Sequence, residues 1–411
     1  MLSSNILTAF CQHLSLGLFR SDYMVHHDSE GLQIKQVEFN TIASSFGGLS
    51  SQTSSLHRYS SPTAALPPCI SDQPPFRHLA ATEYPLLQDS TAVSSLDLPA
   101  NNSTTGLAAG LKAAYDAYGP SPHGHPTCVV FLVQDGERNI FDQRHLEYAL
   151  QGSGAPVFRL PFSEILARTG IPSGDPQRPL LYHPPHNPTR TFEVAVAYLR
   201  AGYGPGDYPS SSAWEARYRI ERSRAIACPS VLTQLAGMKK VQQVLATPGD
   251  ATLDRFIPNE TDRAAVRRTF TNIFPLDATP AGLAARKLAT DPEECQRYVM
   301  KPQREGGGNN FYRGAIPEQL QAIPEAHWGA HILMELITPP PLANVILRNG
   351  KLEQGGVICE LGVYGTCLWD QTGKGFLHSE ESGYLLRTKG DQSEEGGVAA
   401  GYGCMDSCAL V

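Results

Sequence analysis

Met300-Lys301-Pro302-Gln303-Arg304-Glu305-Gly306-Gly307-Gly308-Asn309-Asn310 is the run around which the rest of this chain can be read. Before it stands Arg297-Tyr298-Val299-Met300, short, apolar and strand-like; after it come Phe311-Tyr312-Arg313 and a turn at Gly314. Three successive glycines do not sustain a helix or strand interior, because glycine loses more backbone freedom on ordering than any other residue. They do let backbone N–H groups approach an anion with no Cβ in the way. Lys301 adds a point charge, and Glu305 a carboxylate able to hold a divalent cation. No Gly-Lys-Ser/Thr follows the glycines, so this is not the Walker pattern. Taken alone, a Gly-Gly-Gly run is most often a surface turn. The flanking lysine, glutamate and paired asparagines move the reading toward a lid over the phosphates of a nucleotide.

Composition bounds what such a lid could serve. The chain has 411 residues, 41% hydrophobic and 18% charged, as in a globular protein with a large core and room for more than one domain. Its formal charge of −7 argues against a nucleic-acid partner, which calls for a basic face. A local basic cleft remains compatible with that balance. Nine cysteines, an odd number without a CxxC pair, do not make a disulfide framework. Cys128 and Cys359 lie in apolar runs, which predicts reduced thiols and a cytoplasmic protein. No run of about 18 apolar residues is present, so neither a transmembrane helix nor a membrane partner is expected.

Periodicity predicts strands and helices in alternation. Ile6, Leu7, Phe10 and Leu14 have helical spacing, so the first twenty residues are expected to form a short amphipathic helix. Ile34 to Asn40 alternates as a strand, with Glu38 and Asn40 on one face. From Ser50 to about Asn102 the composition turns to Ser, Pro, Thr and Ala without period, which predicts a loosely packed insertion. Helices are expected over 106–118, 142–150 and 214–227, and strands over 127–133, 156–160 and 192–200. His183-Pro-Pro-His186 has no helical metal-ligand spacing and reads as a surface loop. Residues 246–293 read as helical and unspecific, and strand character returns from Arg297 onward. This alternation implies an α/β fold whose ligands gather where strands end. No Ser-His-Asp set or G-x-S-x-G motif supplies a nucleophile. A chemistry that needs only positioning, cations and water exclusion fits better.

The glycine-rich run resembles the lid of eukaryotic-type glutathione synthetase, an ATP-grasp ligase. Other blocks are similar to the same family in the same order: Arg20-Ser-Asp-Tyr-Met24, Gln36-Val-Glu-Phe-Asn-Thr41, Glu137-Arg-Asn-Ile-Phe-Asp-Gln-Arg144, Trp214-Glu-Ala-Arg217, Leu333-Met-Glu335, Glu360-Leu-Gly362, Leu386-Arg-Thr-Lys389 and Gly396-Gly-Val-Ala-Ala-Gly401. The family's long stretch ahead of the position of Arg20 has no counterpart in this sequence. The resemblance implies a mixed α/β (α+β) chain with an ATP-grasp fold, a parallel-sheet substrate-binding domain and a glycine-rich lid. The expected organisation is 1–50 as part of a main domain carrying the metal-binding strand, and 51–103 as the low-complexity insertion. Residues 104–235 then form the substrate-binding domain, and 236–411 the ATP-grasp domain with its lid at about 297–330.

The implied activity is ATP-dependent ligation of γ-glutamylcysteine to glycine by a homodimer that uses Mg2+. By match, Glu38, Asn40 and Glu305 would bind magnesium. Lys239, Lys301, Lys389 and Glu395 would meet the nucleotide, with Pro302, Gln303, Arg304, Gly306, Gly307, Gly308, Asn309, Asn310 and Tyr312 closing over it. Met334, Glu335, Leu336 and Ile337 would line the adenine pocket, and Glu360 would face the sugar or base. Arg20, Ser45, Phe46, Glu137, Arg138, Asn139, Gln143, Arg200 and Tyr203 fall on substrate positions. Arg387, Val398 and Ala399 would hold substrate at the second glycine-rich loop, and Arg20 and Arg387 are the residues expected to act in catalysis. Ala43 replaces a serine of the family, Ala201 an aspartate and Glu395 an aspartate. Another ATP-grasp carboxylate–amine ligase would share the glycine-rich run but not the Arg20 and Glu137–Arg144 blocks, and a shortened, inactive or regulatory paralogue would retain ATP binding.

Overall fold

Strand β1 (Leu14–Asp28) and strand β2 (Gly31–Asn40) open the described chain as an antiparallel hairpin. The computed structural model describes residues 12–60, 98–247, 252–304, 308–348, 351–373, 375–393, 398, 401 and 403–408. Helices α1 (Gly47–Ser60) and α2 (Ser103–Tyr118) follow, then β3 (Thr127–Val133), α3 (Ile140–Gly152) and β4 (Val157–Pro161). Next come the short β5 (Thr169–Gly170) and β6 (Leu181–Tyr182), β7 (Phe192–Leu199), α4 (Ser211–Glu221) and β8 (Ile226–Cys228). Helices α5 (Val231–Ala236), α6 (Lys239–Ala246) and α7 (Glu260–Thr269) lead to β9 (Ile273–Pro275) and α8 (Pro280–Thr290). The last third holds β10 (Tyr298–Pro302), β11 (Phe311–Tyr312), α9 (Ala315–Ala322) and β12 (His331–Glu335). It ends with β13 (Leu342–Arg348), β14 (Lys351–Asp370), β15 (Gly375–Gly390) and β16 (Gly403–Asp406).

These strands form three sheets. The first runs β16-β15-β14-β1-β2, with β13 also on β14, and is antiparallel throughout. Residues 14–40 therefore share a sheet with residues 342–406. The second runs β11-β10-β12-β9. The third runs β4-β3-β7-β6-β5, and its strands β4, β3, β7 and β8 are mutually parallel, as expected when helices supply the crossovers.

Helix α2 lies between the first and third sheets, and its Leu107 and Leu111 share one core with Leu16, Leu18, Leu385 and Phe131. Close approach depends on two glycines one turn apart. A Cβ at Gly110 would stand 2.6 Å from Thr366 Cβ, and one at Gly106 would stand 2.8 Å from Ser382 Cβ. The other face of the third sheet carries a second core around Val130, Leu160 and Ile220. Met300, Leu333 and Leu276 anchor a third beneath α8 and α9.

Four expectations are corrected. Leu14 to Arg20 is strand, not helix: Leu16 and Leu18 face the core and Ser15, Gly17 and Phe19 the opposite side, a period of two that the spacing of Leu14 with Phe10 concealed. Residues 1–11, with Ile6, Leu7 and Phe10, lie outside the described residues. Residues 51–60 belong to α1 and not to an insertion. Its apolar period is weak because it docks through small hydroxyls, Ser50 with Ser103 at 2.9 Å and Ser51 with Thr104 at 2.6 Å. Of the remainder expected as insertion, 61–97 is not among the described residues, and Ser103 already begins α2. The helix expected to reach Ala227 ends at Glu221, and Ile226–Cys228 instead adds a strand beside β7. Residues 246–293 are not wholly helical either: Ile273–Pro275 pairs with β12.

Candidate active site

Alternation along β1 sets the site. Leu16, Leu18, Arg20 and Asp22 share one face, so a row that begins in the core ends in charge. The register continues that row across the sheet. Arg20 pairs with Asn40 and Tyr364, Asp22 with Glu38 and Gly362, and Glu360 with Arg387. Four strands thus bring Arg20, Asp22, Glu38, Asn40, Glu360 and Arg387 to one end of one sheet face.

Lysines close the cluster from the second sheet and from α6. Lys239, the first residue of α6, places Nζ 2.6 Å from Glu38, and Lys301 on β10 donates to Val37 O at 3.3 Å. Both lysines are buried. Burial alone would push the Glu38 carboxyl up, but Lys239, Lys301 and Arg387 outweigh it and hold Glu38 well below the usual carboxylate range. Glu360 goes the other way. Burial raises it, and nearby Asp22 and Glu38 add to the rise against the opposing pull of Arg387. Arg387 donates to both Glu360 and Asp22, the latter at 2.9 Å. Lys389 lies two residues further along β15, on the same face by alternation.

The substrate-side residues gather around the loop from Thr41 to Phe46. Arg200, at the carboxyl end of β7, donates to Ser44 O at 2.7 Å and Ser45 Oγ at 2.8 Å. Arg20 reaches Ser45 O at 3.2 Å, and the Tyr364 hydroxyl donates to the same oxygen at 2.6 Å. Asp142 near the start of α3 accepts from the backbone N–H of Phe46 and Gly48, each at 2.8 Å. These contacts hold Ala43 and Phe46 at φ of +50° and +71°, which non-glycine residues rarely adopt and which concentrates at functional sites. Beyond the end of β3, Glu137 accepts from Asn139 N at 2.8 Å and Gln143 Nε2 at 2.7 Å. Arg159 donates to Gln143 Oε1 at 2.9 Å and fixes which end of that amide faces Glu137. Gln134 donates to the Tyr203 hydroxyl at 2.8 Å. The Nε–H groups of Arg200 and Arg387 are buried and meet no acceptor among the described residues.

Other expected residues are placed differently. Arg138 and Arg304 are exposed. Met334 turns into the core with Ile273 and Val299, while Glu335 faces Asn272 at 2.7 Å. Leu336 and Ile337 pack partly buried beside that core, as does Tyr312. Pro302 ends β10, and Gln303 accepts from Lys240 N at 2.9 Å, which ties the base of the glycine-rich run to α6. Gly308 has φ +85°, and Asn310 donates to the Tyr312 hydroxyl at 3.4 Å beside half-buried Asn309. Val398 is half-buried and accepts from Gly401 N at 3.0 Å. Glu305, Gly306, Gly307, Glu395 and Ala399 lie outside the described residues. Ala201 is buried in the second core.

Sequence reasoning missed Asp22, Asp142, Tyr364 and Arg159. Asp22 and Asp142 stood inside the quoted blocks, and strand alternation from Arg20 would have found Asp22. Tyr364 and Arg159 carried no local signal.

A groove of about 590 Å³ lies on the other face of β1, lined by Phe19, Phe39, Trp369 and Leu232. It is separate from the charged cluster. The described cysteines are free, as their apolar settings predicted. Among the described residues no helix is long and apolar enough to cross a membrane.

A model of the family described as "Eukaryotic glutathione synthase, ATP binding domain" matches residues 3–410. The large chain of glutathione synthetase from Schizosaccharomyces pombe is 40% identical over 97% of this chain and 76% of its own length. Human glutathione synthetase is 36% identical over 96% of this chain and 75% of its own. A solved structure of a glutathione synthetase-like effector from Globodera pallida superposes with TM-score 0.69, covering 99% of this chain and 80% of that one. At 18% identity that likeness concerns the fold alone. The sequence match over nearly the whole chain places it in the eukaryotic glutathione synthase family of ATP-dependent ligases.

Proposed function

We propose that this chain joins γ-glutamylcysteine to glycine at the expense of ATP and with magnesium, giving glutathione, ADP and phosphate. The observation that carries this reading is the single charged row of the first sheet. It gathers Arg20 and Arg387 on one face, with Lys239 and Lys301 closing on its Glu38 side, and its six residues include no serine, threonine or cysteine to act as a nucleophile. Amide formation from a carboxylate and an amine in water runs uphill. The dipeptide's carboxylate oxygen therefore attacks the γ-phosphorus and ADP leaves; the glycine amine then attacks the acyl carbon and phosphate leaves with that oxygen. Such chemistry asks the protein for positioning, cations and exclusion of water.

Each chain residue then has a physical task. Lys239, Lys301 and Lys389 neutralise phosphate charge, and the 301–310 run covers it. Arg200 and the 137–143 segment hold the dipeptide against the Thr41–Phe46 loop. Arg20 stands where the dipeptide's reacting carboxylate meets the phosphate, and Arg387 clamps the carboxylate of glycine. Hard oxygen donors suit magnesium, and those present fit it. Glu38 is held ionised by its lysines, and the Asn40 amide nitrogen is tied to Asp22 at 3.0 Å, leaving its oxygen as the ligand. Glu305 would complete the set. When bound, the cation would neutralise charge on the transferring phosphoryl group. We infer a homodimer from the family resemblance, and a cytoplasmic setting from the cysteines in apolar runs. Exposed Phe141 and Tyr148, two turns apart on α3, offer an apolar face for the contact.

The test is direct: purified protein with ATP, Mg2+, γ-glutamylcysteine and glycine should yield glutathione and ADP in equal amounts by mass spectrometry. ADP formation independent of the dipeptide, with no glutathione, would favour a nucleotide-binding paralogue.

A further inference from the structure

Asp22 is fully buried, and no substrate, nucleotide or metal role described above falls on it. Four donor contacts nonetheless converge on its carboxylate. Arg20 gives Nε at 2.6 Å and Nη2 at 2.8 Å, Arg387 gives Nη2 at 2.9 Å, and Asn40 gives Nδ2 at 3.0 Å. A carboxylate accepts about four hydrogen bonds, so these contacts, three on Oδ2 and one on Oδ1, direct most of the acceptor capacity of Asp22 to the protein itself. The two guanidinium groups it joins repel each other, and a shared anion between them is what lets both stay close.

The opposite strand is shaped around this arrangement. Gly362 pairs with Asp22 across β1 and β14, and a Cβ there would lie 2.7 Å from both Arg20 Cδ and Asp22 Oδ1. A bare backbone at that position leaves room for the Arg20–Asp22 pair to lie flat on the sheet. We propose that Asp22 is the positioning residue that fixes Arg20, Arg387 and Asn40 relative to one another, so that the dipeptide side and the glycine side share one anchor. The proposal rests on assigning Arg20 and Arg387 to the two substrates.

Asp22 touches both arginines through side-chain hydrogen bonds, whereas Glu360 touches Arg387 only. The variants Asp22→Asn, Gly362→Ala and Glu360→Gln of the full chain therefore separate the cases. Two constants are read: calorimetric Kd for γ-glutamylcysteine without nucleotide, and KM for glycine. Asp22→Asn keeps the shape and removes the charge; both constants should rise about 10–100-fold, the range for hydrogen bonds to charged groups, with kcat falling less. Gly362→Ala removes no charged group and should move both in the same direction. Glu360→Gln should raise the glycine KM and leave the dipeptide Kd within about twofold of wild type. Unchanged constants in folded Asp22→Asn, or a loss confined to kcat, would overturn the proposal. If Asp22→Asn does not fold, Gly362→Ala decides, and unchanged constants there overturn it. If the wild-type protein fails to bind γ-glutamylcysteine, the functional reading is what fails. The anchor is then judged by double-mutant cycles in thermal stability pairing Asp22→Asn with Arg20→Lys and with Arg387→Lys, where additive effects would refute it.

Discussion

Replacing Arg387 with Met should destabilise the protein in a way that depends on pH. In the native chain Arg387 neutralises Glu360, and their side chains are 15% and 16% exposed. Asp22 keeps Arg20 when Arg387 is lost, but among the described residues no other cation contacts Glu360. Breaking a buried pair from one side costs about 3–5 kcal/mol, because the remaining charge is left uncompensated. For a chain of this size that corresponds to a melting temperature lower by about 3–6 °C. The sign follows from Glu360. Burial already raises its folded pKa, and removing Arg387 raises it further. A carboxyl raised in the folded state contributes stability below its unfolded pKa, about 4.3, and loses it as pH rises through the folded value. The deficit of Arg387→Met relative to wild type should be small near about pH 5 and approach its full size near about pH 8. Differential scanning calorimetry across that range is the assay. Adding Glu360→Gln should recover most of the stability without recovering ligation. A deficit that is flat in pH, or a double variant no more stable than the single one, would refute the reasoning.

Three further outcomes are expected. Asp142→Ala removes the acceptor for Phe46 N, Gly48 N and Asn139 Nδ2 and should cost about 1–3 kcal/mol in urea unfolding; it should also raise the KM for γ-glutamylcysteine, and an unchanged KM would remove the Thr41–Phe46 loop from the substrate site. Gly17→Ala places a Cβ 1.9 Å from Phe19 Cζ, so the ring that packs 5.3 Å from Phe39 and 6.4 Å from Trp369 must move; a loss of about 1–3 kcal/mol with altered tryptophan fluorescence is predicted, and wild-type stability would show that the ring has another seat. Glycine should be preferred over β-alanine by about 10–200-fold in kcat/KM, the discrimination one methylene allows; equal values would count against a close fit at Val398-Ala399.

Much of the architecture was legible because its signals are local. The buried strand at Thr127–Val133, the helix before it and the strands flanking the glycine-rich run each follow from short apolar patterns. The first strand was not legible. Leu14 fits a helical spacing with Phe10, and only pairing of Leu14–Tyr23 with β14, which begins at Lys351, reveals the period of two. Helix α1 was hidden for a different reason: its packing uses serine hydroxyls, which read as loop composition in sequence. For the site, Arg20, Glu38, Lys239, Lys301, Glu360 and Arg387 converge whereas Arg138 and Arg304 stay exposed, and the anchors between them did not announce themselves. Asp22 serves through a carboxylate that faces only protein, and Arg159 acts on Gln143 from a separate strand. Such supporting contacts are set by register and tertiary placement, which a linear pattern does not encode.

The central claim is that the dipeptide's carboxylate is activated as an acyl phosphate held by the Arg20–Arg387 row. It is tested most directly by isotope transfer. γ-Glutamylcysteine labelled with ¹⁸O in its cysteinyl carboxylate is incubated with the protein, ATP, Mg2+ and glycine, and the released phosphate is analysed by mass spectrometry. One labelled oxygen should appear in phosphate for each glutathione formed, and Arg387→Met should suppress both together. Glutathione formed with unlabelled phosphate would contradict the account.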